Sequence, residues 1–221
     1  MLKTRFLAVV SVLFLLSSVQ ATVLWSEPYG STDYFDWANG QSLNGLFGDP
    51  IPIGNTFVFF PSLFRAESLD RQENTVSDTL EFELIAHPGY RFQSISIIEY
   101  GDYGILGNGL VEASGTLSVE NLDTTDTLSN GLETDLPSIF PADAAGEWQA
   151  WTNLDVNRPD WTHIRITLEN NLFVVSGFSS GAWIEKKVLS NAIAVTLIPE
   201  PATAILLSSG MIFLASKRKR H

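Results

Sequence analysis

The sequence of 221 residues contains no cysteine. That absence excludes disulfide bonds, cysteine nucleophiles, thiolate zinc sites and covalent haem attachment in one step. A chain of this length can bury enough apolar surface to fold without disulfides, even outside the cell. We therefore expect one domain of ordinary size.

Basic residues are scarce in the central part of the chain. Residues 22–199 contain seven lysines and arginines against 24 aspartates and glutamates, a net charge of about −17. Such a surface repels nucleic acid and anionic membranes, so we expect no nucleic-acid partner. The remaining basic residues stand at the two ends of the chain: Lys3, Arg5, Lys217, Arg218, Lys219 and Arg220.

Long helical periodicity is also missing between the two ends. Leu80, Phe82 and Leu84 instead alternate with glutamates, which is the period of a half-buried strand. The same alternation recurs at residues 164–168 and 193–197. Many short antiparallel strands favour an all-β fold, and we predict an antiparallel β-sandwich of jelly-roll type.

Turn residues separate the predicted strands. His87-Pro88-Gly89 lies between two of them, and Asn108-Gly109 stands between two apolar runs. The second dipeptide is the strongest short-range signal for a β-hairpin. Residues 121–146, rich in Thr, Asp, Pro and Ala, form the longest predicted loop. The sandwich domain is predicted to cover residues 22–198.

The N-terminal residues have the order of a secretory signal peptide. A basic start precedes residues 6–16, an apolar run, and small residues then lead to a signal-peptidase site. We predict a signal peptide over residues 1–21, cut between Ala21 and Thr22. The alternative is an N-terminal membrane anchor, which is disfavoured because the apolar run is too short to span a bilayer comfortably.

The C-terminal end has the order of a short membrane segment. Residues 202–216 carry no charge, and as a helix they would be about 22 Å long, against a hydrocarbon core of roughly 30 Å. We predict a short transmembrane helix there. Residues 217–221 form a basic tail that stays cytoplasmic by the positive-inside rule, which places the sandwich outside the cytoplasm. The preceding Pro199-Glu200-Pro201 is predicted to be extended and accessible.

The Pro199-Glu200-Pro201 triplet, the short hydrophobic helix with Gly210, and the terminal Lys217-Arg218-Lys219-Arg220 together resemble a PEP-CTERM sorting signal. The resemblance covers residues 199–221. It implies recognition at the triplet by an exosortase, a membrane protease or transpeptidase, in a Gram-negative bacterium that makes extracellular polysaccharide. It also implies an inner-membrane precursor whose helix is removed or exchanged during delivery to the cell surface or extracellular matrix. The alternative is an ordinary C-terminal anchor.

Residues 177–181 match G-x-S-x-G, the nucleophile elbow of α/β-hydrolases. That elbow needs a strand, a sharp turn, a helix and a downstream histidine. Here the segment after the motif is short, and the only later histidine, His221, lies beyond the predicted membrane helix. A tight hairpin loop explains these residues better, so no catalytic residue is predicted.

Candidate metal ligands are sparse. We predict a turn position for His87 and an outward-facing strand position for His163. Asp155, Asn157 and Asp160 offer oxygen atoms of the kind that calcium prefers, but their spacing lacks the glycine and closing glutamate of an EF-hand. We therefore predict no metal and no other cofactor.

Tryptophans are concentrated in the last third of the predicted sandwich. Sandwich modules that bind sugars present flat indoles to pyranose rings, with carboxylates and amides nearby. We predict that Trp148 and Trp151 lie on one side of an extended segment and form a candidate carbohydrate-binding pair. The alternative is that these large aromatic side chains fill the core.

Three functions are compatible with these features. The first is a non-catalytic surface or matrix protein, exported by the general secretion machinery, cut by signal peptidase and sorted by exosortase, with a role beside exopolysaccharide in a biofilm. The second is a carbohydrate-binding module delivered by the same route. The third, a secreted hydrolase, depends on the motif at residues 177–181 alone.

Overall fold

The structure is a computed structural model that describes residues 22–187 and 191–199. The predicted signal peptide, the transmembrane segment 202–216 and the basic tail lie outside the described residues. Of the predicted cleavage and sorting residues, the structure describes Thr22 and Pro199. Within the described ranges we find no helix with the length and apolar character that a bilayer crossing requires.

The described residues form fifteen β-strands and no helix, which confirms the all-β prediction. The strands are β1 (Val23–Leu24), β2 (Gly30–Ser31), β3 (Phe35–Ser42), β4 (Ile51–Ile53), β5 (Thr56–Phe59), β6 (Arg65–Leu69), β7 (Glu73–Ala86), β8 (Tyr90–Leu106), β9 (Gly109–Asn121), β10 (Thr127–Gly131), β11 (Glu133–Thr134), β12 (Ala145–Asp155), β13 (His163–Ser176), β14 (Gly181–Lys186) and β15 (Asn191–Pro199).

Antiparallel pairing divides these strands between two sheets. Sheet A has the order β1-β3-β7-β13-β9-β10, and β2 also pairs with β3. Sheet B has the order β11-β12-β8-β15-β5-β4, and β14 pairs with both β8 and β6. Residues of both sheets contribute to one buried apolar cluster, so the sheets pack face to face as a sandwich.

Strand β8 is the centre of sheet B. One of its edges pairs with β12 from Ser94 to Gly104. Its other edge is shared, because β15 pairs with the first part of β8 and β14 pairs with the second part. The late strands β14 and β15 are therefore both positioned by pairing with β8, a strand of 17 residues.

Three of the predicted turns are corners between the sheets. His87-Pro88-Gly89 leads from β7 in sheet A to β8 in sheet B, and Gly107-Asn108 leads from β8 to β9 in sheet A. The hairpin predicted at Asn108-Gly109 is therefore wrong, although a tight turn is present. The hairpin loop predicted at residues 177–181 is likewise a corner, from β13 to β14. Turn residues in the sequence predict that the chain turns, but they do not predict which strand the following segment pairs with.

The long loop predicted over residues 121–146 is partly wrong, because it contains two short strands. Strand β10 pairs with β9 in sheet A, and β11 pairs with β12 in sheet B. Both strands consist mostly of exposed residues, so no alternation of buried apolar side chains marks them in the sequence.

The inward faces of the strands carry the core. Phe57 lies near its aromatic centre, with ring centroids 5.0 Å from Phe82 and 5.7 Å from Trp37. Such tilted and edge-to-face contacts stabilise a core beyond the area that they bury. The predicted inward residues of the alternating strands are buried: Leu80, Phe82, Leu84, Ile164, Ile166, Leu168, Ile193 and Val195.

Four of the six tryptophans lie directly on a glycine. In each case the indole occupies the space that a β-carbon of the glycine would take. These glycines have no positive φ, so close packing rather than backbone conformation requires them. The pairs are Trp25 on Gly40, Trp37 on Gly30, Trp148 on Gly101 and Trp183 on Gly104.

An ion pair lies beside the corner between β7 and β8. His87 occupies the turn position that the sequence predicted, and its Nε2 lies 2.9 Å from Oδ1 of Asp36. Donating this hydrogen bond to the Asp36 carboxylate raises the pKa of His87 above its ordinary value of 6.5. The same bond lowers the pKa of Asp36. The pair links the corner to β3.

Gly101→Ala should destabilise the sandwich by about 1–3 kcal/mol, because the added methyl overlaps the Trp148 indole and the Glu185 carbonyl. Gly131→Ala is the matched control, since it also lies in a strand and its methyl would meet no atom closer than 3.9 Å. We expect a change within about 0.5 kcal/mol for the control. Denaturant unfolding measures both, and equal stabilities would contradict the packing role of Gly101.

His87 should titrate above pH 6.5, and Asp36→Asn should move its midpoint down towards that value. Because the pKa of His87 is raised in the folded state, the stabilisation from this pair is fully present below pH 6.5. It is lost as the pH rises through the folded pKa of His87. NMR titration of the imidazole in both proteins measures the midpoints. An unchanged midpoint in the variant would rule out this role for Asp36.

Candidate binding face

The outward surface of sheet B carries Trp151, one of the two binding residues that the sequence predicted. We call it the sheet B face and define it by Arg65, Tyr100, Trp151 and Trp183. These residues alternate along their strands with side chains that enter the core. The face therefore shares its backbone with the core, which holds its side chains on rigid strands.

Trp148 does not lie on this face, and the prediction that it shares a side with Trp151 is wrong. Side chains of a strand alternate with period two, so residues three positions apart point to opposite sides. Trp148 is 2% exposed, lies over Gly101 in the core and donates from Nε1 to the Glu185 carbonyl at 3.2 Å. The core-filling alternative is the correct one for Trp148.

Trp151 is the outward residue of the predicted pair, with 38% of its surface exposed. It lies in β12, opposite Glu133 of β11 on one side and Ile98 of β8 on the other. Its position in the interior of sheet B, rather than on a loop, fixes the indole within a flat surface.

Polar side chains flank Trp151 along the strands. The next outward residues of β12 are Gln149, which is opposite Tyr100 of β8, and Asn153, which is opposite Ser96 of β8. Ser96 donates from Oγ to Oδ1 of Asn153 at 2.8 Å. An exposed indole among amide and hydroxyl groups matches the chemistry of a sugar ring, which has apolar CH faces and polar edges.

A cleft of about 510 Å³ lies at the other end of the face. Trp183 of β14, Arg65 and Glu67 of β6, Leu106 of β8 and Asp143 line it. The indole of Trp183 lies on Gly104, and the guanidinium of Arg65 lies 4.4 Å from its ring centroid. Trp183 was not among the predicted site residues, although the alternation along β14 places it outward.

Ion pairs fix Arg65 beside Trp183. Its guanidinium contacts the carboxylates of Glu67 and Glu185, the latter at 2.6 Å from Nη1. Burial alone would lower the pKa of Arg65, but the bonds to these two carboxylates raise it above its usual value. The cleft therefore presents a fixed cation and an aromatic ring together.

Trp151 and Trp183 mark two separate positions on the sheet B face. Trp151 is opposite Ile98 of β8, whereas Trp183 is opposite Gly104, six residues further along the same strand. This corresponds to about 20 Å along β8. An extended polymer, rather than a single small molecule, has the length to contact both indoles.

The serines of the G-x-S-x-G segment hold the corner between β13 and β14. Ser179 donates its backbone N–H to Oδ1 of Asp70 at 3.1 Å. The Oγ of Ser180 accepts from the backbone N–H of Asn108 at 3.1 Å and donates to the Phe178 carbonyl. His163 stands at the opposite end of β13, about 40 Å away along the strand. Among the described residues, these serines bond to Asp70, Asn108 and Phe178 rather than to a histidine.

Asp155, Asn157 and Asp160, the candidate calcium ligands, make hydrogen bonds of a turn. Oδ1 of Asp155 accepts the backbone N–H of Asn157 at 2.9 Å, and the backbone carbonyl of Asp160 accepts from Asn121 at 3.3 Å. Within residues 22–187 and 191–199, no three histidine or carboxylate side chains are grouped to hold a metal ion. His163 lies 3.5 Å from Glu83 on β7, in the strand position that the sequence predicted.

No family model and no curated protein matches this chain. Among solved structures, the carbohydrate-binding module TmCBM61 in complex with β-1,4-galactotriose is similar, with 12% identity over 65% of this chain and 71% of that chain, at a TM-score of 0.25. The infectious bursal disease virus VP2 subviral particle has 12% identity over 78% of this chain and 54% of that chain, at a TM-score of 0.28. Tailspike protein 4 of bacteriophage CBA120 has 11% identity over 70% and 20%, at a TM-score of 0.20. None of these likenesses identifies a family or a ligand.

Proposed function

We propose that this chain is an exported, non-catalytic protein of the cell surface or extracellular matrix whose β-sandwich binds polysaccharide through the sheet B face. The observation that carries the binding function is the exposed Trp151 indole, set among amide and hydroxyl side chains in the interior of a sheet. An aromatic platform on a rigid sheet needs little ordering when a ligand binds. The cleft beside Trp183 extends the platform for a polymer.

The net negative charge of the domain fits a matrix role. A strongly acidic surface keeps the protein soluble and away from nucleic acid. The same charge disfavours a highly acidic polymer on most of the surface. In the cleft beside Trp183, Glu67 and Glu185 already pair with Arg65, so the cleft also favours a neutral polysaccharide.

The proposed route to the surface is that of an exosortase substrate. A signal peptide over residues 1–21 starts export, and residues 199–221 hold an inner-membrane precursor until exosortase acts at the triplet. The body supports this order, because β15 ends at the exposed Pro199. The triplet therefore begins where the sandwich ends, without a linker between them.

We also propose the jelly-roll type for the sandwich. The chain passes from β7 in sheet A to β8 in sheet B, to β9 in sheet A, and later from β13 in sheet A to β14 in sheet B. This repeated exchange between sheets is typical of that architecture.

Trp151→Ala should weaken polysaccharide binding at least tenfold, which is about 1.4 kcal/mol, because it removes the exposed ring without touching the core. Tyr29→Ala is the matched control, since Tyr29 is 65% exposed and immediately precedes β2 of sheet A. A glycan array followed by gel retardation in the native exopolysaccharide measures binding. Wild-type protein that binds no glycan, or equal losses in the two variants, would refute the binding function.

Replacing Pro199-Glu200-Pro201 with alanines should leave the signal peptide cut but stall the protein as an unprocessed membrane form. The matched control is the same replacement at Pro50-Ile51-Pro52, a second proline-flanked triplet that is largely exposed. Cell fractionation and intact mass measure the outcome in the native host. Normal surface delivery of the first variant would contradict the sorting role of the triplet.

A further inference from the structure

Three polar side chains meet in the core where the two sheets face each other. Glu99 of β8 and Lys186 of β14 come from sheet B, and Asn170 of β13 comes from sheet A. Their side chains are almost completely excluded from solvent. A polar cluster in such a position is costly unless its members are paired, so the contacts among them decide what the cluster can do.

One oxygen atom of Glu99 connects the other two residues. Its Oε1 lies 2.6 Å from Nζ of Lys186 and 2.7 Å from Nδ2 of Asn170, which donates to it. The amine and the amide are therefore held on a single carboxylate oxygen, and their nitrogens are no further apart than the sum of those two distances. This places the amine within reach of the Asn170 amide group.

The exclusion of water from Lys186 favours an uncharged amine. Its Nζ lies 4.9 Å from the ring centroid of Phe64 and 5.1 Å from that of Phe47. Burial lowers the pKa of Lys186, and the negative charges of Glu99 and Asp78 oppose that shift only in part. A neutral amine has a free lone pair and is a nucleophile.

The amide of Asn170 and the second oxygen of Glu99 have unused hydrogen-bonding capacity. Oδ1 of Asn170 and Oε2 of Glu99 are buried and have no hydrogen-bond partner among the described residues. Nζ of Lys186 also has none in suitable geometry, although it touches Glu99. Buried polar atoms are normally hydrogen-bonded, so the unpaired atoms of this cluster call for an explanation.

Asp78 is occupied elsewhere and does not compete for the amine. Its Oδ2 accepts from Ser42 at 2.6 Å and from the backbone of Leu46 at 2.7 Å. Its Oδ1 accepts from the backbone of Asn44 and of Thr79. Asp78 therefore holds the chain before β4 in place, whereas Glu99 contacts Lys186 and Asn170.

We propose that Lys186 and Asn170 form an intramolecular isopeptide bond, with Glu99 as the catalytic acid and base. Nζ of the neutral lysine attacks Cγ of Asn170, and Glu99 takes a proton from Nζ and gives it to Nδ2. The Cγ–Nδ2 bond then breaks, ammonia leaves, and an amide joins Cγ to Nζ. The step is a transfer of an acyl group from one nitrogen to another, and it needs neither an oxidant nor a co-reactant.

The bond would join the sheets covalently in a chain that has no cysteine. It would connect β13 of sheet A to β14 of sheet B and close a ring through the corner at residues 177–180. Closing a ring reduces the conformational entropy of the unfolded chain, as a disulfide does. This inference is independent of the proposed carbohydrate binding, because the cluster lies inside the sandwich and the sheet B face lies outside it.

Peptide mass spectrometry of the full-length protein tests the bond directly. Residues 166–185 contain no lysine or arginine, so trypsin places Asn170 and Lys186 in one peptide. An unlinked chain gives residues 166–186. A linked chain resists cleavage after the acylated Lys186 and gives residues 166–187, about 17 Da lighter than the unmodified sequence, the mass of one ammonia. Chymotrypsin should then open the ring into a branched peptide in which Asn170 carries Lys186.

Variants separate the bond from other losses of mass. Glu99→Gln should give the unlinked peptide because it removes the group that moves the proton, and Lys186→Met should give no loss of mass. Glu112→Gln is the matched control at an exposed carboxylate of β9, and it should stay linked. If Glu99→Gln does not fold, the wild-type peptide still decides the question.

Several outcomes would overturn the proposal. A wild-type peptide of unmodified mass shows that no bond forms. A loss of about 17 Da with normal cleavage after Lys186 shows a cyclised asparagine instead. A loss of about 18 Da that joins Lys186 to Asp78 assigns the bond to the other carboxyl group, with water as the leaving group.

Discussion

The burial of Lys186 against Glu99 is the constraint around which the two sheets are arranged. Removing either partner would leave an uncompensated charge or polar group in the core, which typically costs about 3–5 kcal/mol. Asn170 brings the opposite sheet to the same oxygen, so the pair also sets how sheet A lies on sheet B. The rings of Phe47 and Phe64 exclude water from the amine. Close packing and polar contacts therefore depend on each other around Lys186.

The alternation of side chains along β12 and β14 separates two tasks within the same strands. Trp148 and Lys186 point inward and hold the sandwich, whereas Trp151 and Trp183 point outward and form the sheet B face. Each inward tryptophan of this kind also needs a glycine beneath it, as Trp148 needs Gly101. Changes on the outward side should therefore have little effect on the core.

Sequence patterns predicted some features of this structure and missed others for identifiable reasons. The buried residues of β7, β13 and β15 followed from alternation, because the period of a strand is a local property. The corner at Gly107-Asn108 was predicted as a hairpin, since a dipeptide reports its own turn and not the sheet to which the next strand belongs. Trp148 and Trp151 were assigned to one side although their spacing of three positions makes them alternate. The cluster of Glu99, Asn170 and Lys186 carries no sequence signal, because its members stand far apart in the chain.

The sequence by itself determined the all-β class and the inward faces of the long strands, since these depend on neighbouring residues. Only the tertiary structure decided which indole is exposed, which corners connect the sheets, and which amine meets which amide. Those features depend on pairing between strands distant in sequence, such as β8 with β14, and on the exclusion of water that follows only when the two sheets close on each other.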